Sequence, residues 1–168
     1  EPDILYQKQV EAYYADPELN RPVGRFGNAA DKWGLANWMA AAVADEADAD
    51  VGFYHIGGVR LDSIPAGGVS AAKVYGLEPF GTLVARMEMT PAQMRRMIVS
   101  KYNDPVNAKE AHRIDLISTT PYVIVTDAAD NALDVQFPKL REGRKYKVAV
   151  SDYIYRNYKD MEYTGGEI

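Results

Sequence analysis

The sequence contains no cysteine and only two histidines, and these shortages exclude several kinds of site. Without cysteine there is no disulfide, no thiolate nucleophile and no thiolate metal site. Sites that hold two metal ions need several His and Asp ligands. His55 and His112, with no Asp-x-His segment in the chain, do not supply such a set. The sequence therefore predicts no complete two-metal centre.

Long apolar runs are also missing from the chain. No stretch approaches the roughly 20 apolar residues that a transmembrane helix requires, so we expect no membrane span. The sequence starts at Glu1 without the basic segment and apolar core that mark a signal peptide. We therefore expect no signal peptide in this chain, and a start that is compatible with processing or trimming.

The charge balance is acidic, with 24 Asp and Glu against 19 Lys and Arg and a net charge of −5. A nucleic-acid polymer requires a basic protein face, so this balance argues against DNA or RNA as a partner. A small phosphorylated ligand requires only local positive charge and stays compatible. The length of 168 residues and the hydrophobic content of 47% indicate one soluble globular domain.

Apolar spacing and capping residues predict four helices. Pro2 suits the first turn of one helix, and Asp31, Ser70 and Thr90 are suitable N-caps for the others. Residues 17–31 are rich in proline and glycine and are predicted to form a loop. The predicted helices cover residues 3–15, 31–47, 71–76 and 91–102.

Apolar runs later in the chain predict a set of strands. Residues 51–56 are apolar at nearly every position, so this strand should be covered on both faces of a sheet. Residues 121–126 and 132–137 flank a turn sequence, which predicts a β-hairpin. Residues 81–89 and 145–151 alternate as further strands. The order of helices and strands indicates an α+β fold, a single domain with a mixed β-sheet packed with helices.

A candidate anchor for an anion follows strand 51–56. This strand breaks at Gly57 and Gly58 and is followed at once by Arg60, and the next apolar break ends in Phe80. Because arginine presents a planar, permanently charged fork of donors, a guanidinium and an aromatic ring at neighbouring strand ends suit a small planar anion. Arg60 is also compatible with an ion pair to a nearby carboxylate such as that of Asp62, and Phe80 with ordinary core packing.

Five segments resemble one known family, in the family's order. Gly34-Leu-Ala-Asn-Trp resembles its opening helix, and Ala49-Asp-Val-Gly-Phe-Tyr-His-Ile-Gly-Gly-Val-Arg resembles its Ala-Asp…Asn-Gly-Gly-Gly-Ile-Arg strand and turn. Ile64-Pro-Ala-Gly-Gly-Val-Ser is similar to Ile-Pro-x-Gly-x-Ile-Thr. Pro79-Phe-Gly-Thr is similar to Pro-Phe-Gly-Asn, and Tyr146-Lys-Val-Ala-Val-Ser-Asp-Tyr to Tyr-x-Val-Ala-Thr-Asn-Asp-Phe. The family is that of the 5'-nucleotidases, which includes UDP-sugar hydrolase and ecto-5'-nucleotidase, and the similar part is its C-terminal domain.

The resemblance is strongest over residues 30–155 and implies such a C-terminal domain over 1–168. In this family an N-terminal metallophosphatase domain holds two metal ions and the attacking water. The C-terminal domain stacks the nucleobase between two aromatic rings and holds the ribose or phosphate with arginines. By position, Phe80 and Tyr153 correspond to the two rings and Arg60 to the anchoring guanidinium.

The resemblance also implies substrate contacts in the turn at His55, Gly57 and Gly58, and further arginines near Arg21 and Arg25. His55 stands where the family has asparagine, and a histidine at the end of an apolar strand is equally compatible with a structural role. Tyr153 has several tyrosine neighbours in the sequence, so a packing role is its alternative: Tyr146, Tyr155, Tyr158 and Tyr163.

Two departures from the family's pattern bear on selectivity. Ile56 replaces the first of three glycines, which thickens a loop whose backbone should approach the ligand closely. After the second aromatic residue, a Gly-Gly-Asp-Gly loop is replaced by Arg156-Asn-Tyr-Lys-Asp. The acidic residue that contacts the base or sugar in the family has Lys159 as its direct register match and Asp160 as the nearest carboxylate.

The expected function is nucleotide or nucleoside recognition within a 5'-nucleotidase-type phosphoester hydrolase, with no catalytic residue and no metal in this chain. Two divalent metals are expected in a metallophosphatase domain that is absent from 1–168 and is either removed or supplied by another chain. The alternative is a ligand-binding or protein-interaction module that keeps the fold without nucleotide recognition. A hydrolase complete in itself is the weakest option. Family members mostly work outside the cytoplasm, which implies the periplasm or the cell surface.

Overall fold

A computed structural model of the protein describes residues 4–106, 109 and 114–168. The predicted helix start at Pro2 and the second histidine, His112, lie outside these residues. The described residues form six α-helices: α1 (Ile4–Tyr14), α2 (Pro17–Asn20), α3 (Lys32–Glu46), α4 (Ala71–Leu77), α5 (Pro91–Tyr102) and α6 (Asp152–Asn157). They also form eleven strands: β1 (Pro22–Phe26), β2 (Ala30–Asp31), β3 (Val51–His55), β4 (Ser63–Ile64), β5 (Gly67–Ser70), β6 (Val84–Met89), β7 (Leu116–Ser118), β8 (Val123–Thr126), β9 (Ala132–Gln136), β10 (Tyr146–Ser151) and β11 (Thr164–Glu167).

The chain divides into two compact units. The first unit comprises the residues up to Lys32 together with Val59–Gly81, and the second comprises Trp33–Gly58 and Thr82–Ile168. The second unit carries a five-stranded sheet in the order β11-β6-β10-β3-β7. β10 and β3 are parallel, whereas the other neighbours are antiparallel. The predicted α+β class with a mixed sheet is therefore confirmed.

The core of the second unit lies against this sheet. β3 is buried from Val51 to Tyr54, as its continuous apolar run predicts. α5 begins with a capping box in which Thr90 and Gln93 satisfy each other's backbone groups, so the predicted helix start is confirmed. The alternating strand β6 and the apolar stripe of α5 supply four buried methionines: Met87, Met89, Met94 and Met97.

Close contact between α3 and β3 depends on a glycine. A Cβ atom added to Gly52 would lie 2.0 Å from the carbonyl oxygen of Ala40 and 2.9 Å from Cβ of Ala44. Such separations are far below van der Waals contact, so only glycine lets this helix backbone approach the strand. The helix predicted from its alanine-rich sequence is confirmed, and its small residues face β3.

The first unit corrects the prediction of a loop over residues 17–31. This segment contains α2, whose N-cap Asp16 accepts a hydrogen bond from the amide of Glu18, and the strands β1 and β2. β1 pairs antiparallel with β5, and β2 pairs with β4. The prediction was wrong because proline and glycine are tolerated in short, exposed edge strands, whose partners here lie some 40 residues further along the chain.

Other local predictions have mixed outcomes. The hairpin of β8 and β9 is present, and Ser70 caps α4 by accepting a hydrogen bond from the amide of Lys73. The predicted first helix forms as α1, but none of its residues is buried. The alternation predicted for 81–89 holds from Val84 onward, whereas Leu83 is 56% exposed and precedes the strand. The strands β4, β5, β7 and β11 and the helix α6 have no counterpart in the prediction.

Candidate functional site

The carboxyl ends of β3 and β10 lie side by side at one edge of the five-stranded sheet. The two strands are parallel neighbours, with Phe53 opposite Val150. In sheets with parallel strands, ligands bind outside these carboxyl ends. β3 ends at His55, and β10 leads directly into α6, whose second residue is Tyr153. The sheet therefore brings two of the predicted site residues to the same edge.

His55 and Tyr153 stack on each other in what we call the His55–Tyr153 stack. Their ring centroids are 4.6 Å apart and their planes differ by 21°. His55 also stacks on Tyr54, at 5.3 Å and 28°. Tyr153 is 50% exposed although the imidazole covers one of its faces. The opposite face of this ring is therefore the one open to solvent.

The turn after His55 distinguishes the two predicted glycines. Ile56–Gly58 forms one turn of 3-10 helix. A Cβ atom at Gly58, which is buried, would lie 2.6 Å from Cε1 and 2.9 Å from Nε2 of His55. At Gly57, which is exposed, the nearest atom would be Cδ2 of His55 at an ordinary 3.8 Å. Gly58 is thus required by the imidazole of His55, whereas Gly57 leaves room for a Cβ atom at ordinary contact distance.

In the first unit, Arg60 and Phe80 contact each other and form what we call the Arg60–Phe80 pair. Cζ of Arg60 lies 5.9 Å from the centroid of the phenyl ring. The backbone N–H of Arg60 donates to the carbonyl of Leu77 at 3.0 Å, and that of Phe80 donates to Oε1 of Glu78 at 3.2 Å. Both residues lie in loops rather than at strand ends. Phe80 is 62% exposed, so the alternative of ordinary core packing is wrong.

Some of the other charged side chains of the first unit form ion pairs. The carboxylate of Asp62, an alternative partner for Arg60, lies 3.7 Å from the ammonium of Lys32. Nε of Arg21 lies 3.6 Å from the carboxylate of Glu18. Arg25 is exposed on β1, opposite Gly68 of β5. The permanently charged guanidinium groups of Arg25 and Arg60 are thus at the surface.

The segment that replaces the family's glycine-rich loop turns toward α5. Asp160 adopts a left-handed backbone conformation with φ of +56°, and its carboxylate accepts a hydrogen bond from the hydroxyl of Ser100 at 2.7 Å. Lys159 is exposed. The carboxylate of Asp160 is therefore engaged with a side chain of α5.

A buried polar cluster behind Tyr153 was not identified from the sequence. Asp115 is only 9% exposed, and its carboxylate accepts a hydrogen bond from the hydroxyl of Tyr158. Nζ of Lys101 lies 3.8 Å from the same carboxylate and 5.0 Å from the centroid of the Tyr158 ring. The Tyr158 ring packs against Tyr153 in a T-shaped arrangement with centroids 6.4 Å apart. The sequence signal for this cluster is a lone aspartate between Ile114 and Leu116, just before a strand.

Electrostatics fix the protonation state of this cluster. Burial, together with the negative charge of Asp115, raises the pKa of the Tyr158 phenol far above its ordinary value. The phenol therefore keeps its proton and acts as a hydrogen-bond donor across the physiological pH range. Burial and the charge of Asp115 also raise the pKa of Tyr122, whose hydroxyl donates to the carbonyl of Leu116.

Among the described residues, no group of three or more His, Cys, Asp or Glu side chains is arranged to hold a metal ion. Within the same part of the chain, no helix is long and apolar enough to cross a membrane. Among the predicted site residues, Phe80 and Tyr153 present exposed aromatic rings and Arg60 presents a guanidinium at the surface.

Comparison with known structures identifies the fold. The 5'-nucleotidase precursor of Thermus thermophilus superposes with a TM-score of 0.68 at 17% identity, over 95% of this chain and 36% of that protein. The NAD nucleotidase of Haemophilus influenzae gives a TM-score of 0.64 at 17% identity, over 95% of this chain and 33% of that protein. The chain thus spans about a third of the length of these proteins.

Comparison at the level of sequence identifies the family. A search of curated protein sequences found no match. The family model described as the 5'-nucleotidase, C-terminal domain, matches residues 15–163, which is most of the chain. Together with the shared fold, this match establishes what the motifs around Arg60 and Phe80 indicated. The chain belongs to the family of 5'-nucleotidase C-terminal domains.

Proposed function

We propose that this chain is the substrate-recognition domain of a 5'-nucleotidase-type phosphoester hydrolase and binds a nucleotide or nucleoside. The observation that carries the proposal is the Arg60–Phe80 pair, in which an exposed ring and an exposed cation lie 5.9 Å apart. The phenyl ring of Phe80 offers a flat apolar surface, and Arg60 offers a positive charge, whereas a nucleotide offers a flat base together with anionic oxygens. Each part of the pair therefore matches one part of this ligand.

The proposed roles follow from the chemistry of each side chain. Phe80 and the open face of Tyr153 each supply a surface for the nucleobase, and stacking of this kind is worth about 1–3 kcal/mol per base. Arg60 holds ribose or phosphate oxygens with its planar fork of donors. Gly57 and Gly58 shape the turn after β3. His55 contributes indirectly, since its imidazole is stacked on the ring of Tyr153.

Catalysis in this proposal belongs to a partner. The metallophosphatase domain of the family, on the same polypeptide or a separate one, supplies two divalent metals and the attacking water. The periplasm or the cell surface is the proposed location, in line with the family. Copurification of this chain from its native source, after release of periplasmic and surface proteins, tests both statements. Recovery with a metal-dependent phosphatase supports them, whereas recovery from the cytoplasm without one contradicts them.

Calorimetry tests the binding role directly. The chain, alone and together with its metallophosphatase partner, is titrated with AMP, adenosine and a UDP-sugar. Replacing Phe80 by alanine should weaken binding by roughly 5- to 150-fold, the equivalent of about 1–3 kcal/mol. Tyr75→Ala is the matched control, because Tyr75 is 63% exposed on α4 of the same unit. No binding by the wild-type protein under either condition would exclude the proposal.

A second candidate is a module that keeps the fold but binds a protein rather than a nucleotide. The specific observation in its favour is α1, an eleven-residue helix whose apolar and aromatic side chains are all exposed. The departures at His55 and Asp160 also favour this candidate. His55 covers one face of the Tyr153 ring, and the carboxylate of Asp160 is bound to Ser100. In this case neither the wild-type protein nor Phe80→Ala binds a nucleotide in the titrations, and the first proposal fails.

A further inference from the structure

We propose that His55 and Tyr158 are positioning residues that fix the ring of Tyr153 from two sides and leave it a single face for a ligand. Asp115 is the common anchor of both, through its backbone carbonyl on the side of His55 and through its buried carboxylate on the side of Tyr158. This inference rests on the proposed function, because the ligand is a nucleobase. It gives His55, Tyr158 and Asp115 of the second unit a positioning role that the family resemblance does not imply.

The backbone that carries Tyr153 is already rigid. Tyr153 lies in the first turn of α6, directly after the central strand β10, and Ser151 caps this helix by accepting a hydrogen bond from the amide of Ile154. Ser151 and Ile154 are both fully buried. The amide of Asp152 donates to the carbonyl of Leu83 at 2.8 Å. What remains free is rotation of the Tyr153 side chain, and this is what the two neighbouring rings restrict.

His55 restricts this rotation by covering one face of the ring. Offset stacked rings with centroids 4.5–7 Å apart attract each other, and the 4.6 Å separation of His55 and Tyr153 lies at the close end of that range. The imidazole is itself held in place, because Gly58 leaves the space that it fills. An asparagine at this position could not stack over so large an area.

Tyr158 restricts the same ring by packing against it at a steep angle. The two phenol rings meet at 6.4 Å and 80°, an edge-to-face geometry. Tyr158 cannot swing away without breaking its hydrogen bond to Asp115. Because that carboxylate is buried, losing the Tyr158 donor would leave it, among the described residues, with only the more distant ammonium of Lys101, which is costly for a buried charge. Lys101 stabilises the same carboxylate from α5, at 3.8 Å.

Asp115 joins the two supports. Its backbone carbonyl accepts a hydrogen bond from the amide of Ile56 at 2.8 Å, which fixes the residue immediately after His55. Its side chain accepts the hydroxyl of Tyr158. Asp115, just before β7, therefore holds both the turn that follows the imidazole and the phenol that packs against Tyr153. All of these contacts lie within the second unit.

The arrangement has a consequence for recognition. The face of Tyr153 toward His55 is closed to any ligand, so a base can stack only on the opposite, exposed face. A ring that is already oriented loses little conformational entropy when a ligand binds, and preorganisation of this kind raises affinity. We therefore expect His55 and Tyr158 to contribute to nucleoside affinity without touching the nucleoside.

The experiment combines a spectroscopic and a binding measurement on the full chain. NMR spectra with isotope-labelled tyrosine report the ring signals of Tyr153, which the adjacent imidazole shifts. His55→Ala should remove that shift and weaken adenosine binding about tenfold, whereas His55→Phe should retain a shifted ring signal and near wild-type affinity. Tyr158→Phe should broaden or split the Tyr153 signal and also weaken binding, while Tyr13→Phe, a tyrosine 65% exposed on α1, changes neither.

Two glycine variants sharpen the spectroscopic test. Gly58→Ala should displace the imidazole and alter the Tyr153 signal, whereas Gly57→Ala should leave that signal unchanged. An unchanged Tyr153 signal in His55→Ala and Gly58→Ala overturns the inference, whatever the ligand does. Adenosine affinities of His55→Ala and Tyr158→Phe that equal the affinity of the wild type also overturn it. If the Tyr153 signals change in the variants as expected but the wild-type protein binds no nucleoside, the proposed function is overturned instead.

Discussion

The Arg60–Phe80 pair and the His55–Tyr153 stack present similar chemistry on supports of different kinds. Arg60 and Phe80 lie in loops of the first unit and are held mainly by backbone hydrogen bonds to Leu77 and Glu78. The His55–Tyr153 stack lies at the ends of two central strands of the second unit. The comparison teaches that the side chains of the Arg60–Phe80 pair can be replaced without affecting folding, whereas those of the His55–Tyr153 stack cannot.

The burial of the surrounding residues explains this difference. Phe80 and Arg60 contribute no side chain to the core cluster, so their replacement should change the free energy of unfolding by less than about 0.5 kcal/mol. The His55–Tyr153 stack adjoins fully buried residues along the chain, with Tyr54 before His55 and Ile154 after Tyr153. Substitutions beneath it should therefore affect stability and recognition together.

The largest effect is expected from Gly52→Ala in β3, the strand that carries His55. The new Cβ atom would lie 2.0 Å from the carbonyl oxygen of Ala40, and overpacking against backbone is not relieved by side-chain rotation. We expect a loss of about 3 kcal/mol or more in the free energy of unfolding, measured by chemical denaturation. Gly57→Ala is the control, with an expected change below about 0.5 kcal/mol. Equal stability of the two variants would contradict the close packing of α3 on β3.

A smaller effect, on binding alone, is expected from Arg60→Ala. Hydrogen bonds to charged groups are worth about 1.5–3 kcal/mol, so AMP should bind roughly 10- to 150-fold more weakly in calorimetry. Thermal unfolding should be unchanged. Lys73→Ala removes an exposed positive charge from α4 of the same unit and should leave AMP affinity intact. An equal loss in both variants would mean that general electrostatic attraction, not the fork of Arg60, holds the ligand.

The smallest effects are expected from two glycines of the first unit, and they should have opposite signs. Gly81 follows Phe80 with φ of +63°, a conformation that costs an alanine about 1 kcal/mol, so Gly81→Ala should destabilise the protein by about that amount. Gly76 lies inside α4 with ordinary contacts to Leu61, so Gly76→Ala should stabilise by about 0.5–1 kcal/mol. Chemical denaturation distinguishes the two, and changes of the same sign would contradict the assigned backbone geometry.

Local sequence patterns predicted much of the fold because the elements concerned follow local rules. The helix α5 carries its own cap at Thr90, and the buried run of β3 is apolar at each position from Val51 to Tyr54. β1 and β5 were missed because their residues become strands only by pairing with each other. Nothing within β1 itself, with Pro22 and Gly24, favours an extended ladder.

The candidate site was predictable residue by residue but not as an arrangement. Position within family motifs singled out His55 and Tyr153, yet their contact depends on the parallel pairing of β3 with β10. The hydrogen bond from Tyr158 to Asp115 joins residues 43 positions apart, which no local pattern encodes. Gly58 was attributed to ligand approach, whereas the structure shows that His55 needs the space.

The most direct test of the account is an AMP titration followed through the aromatic NMR signals of the full chain. The account predicts that AMP shifts the signals of Phe80 and those of Tyr153. Tyr13, exposed on α1, should show no change. If AMP and adenosine leave both Phe80 and Tyr153 unperturbed, or perturb only rings elsewhere, nucleotide recognition by this chain is contradicted.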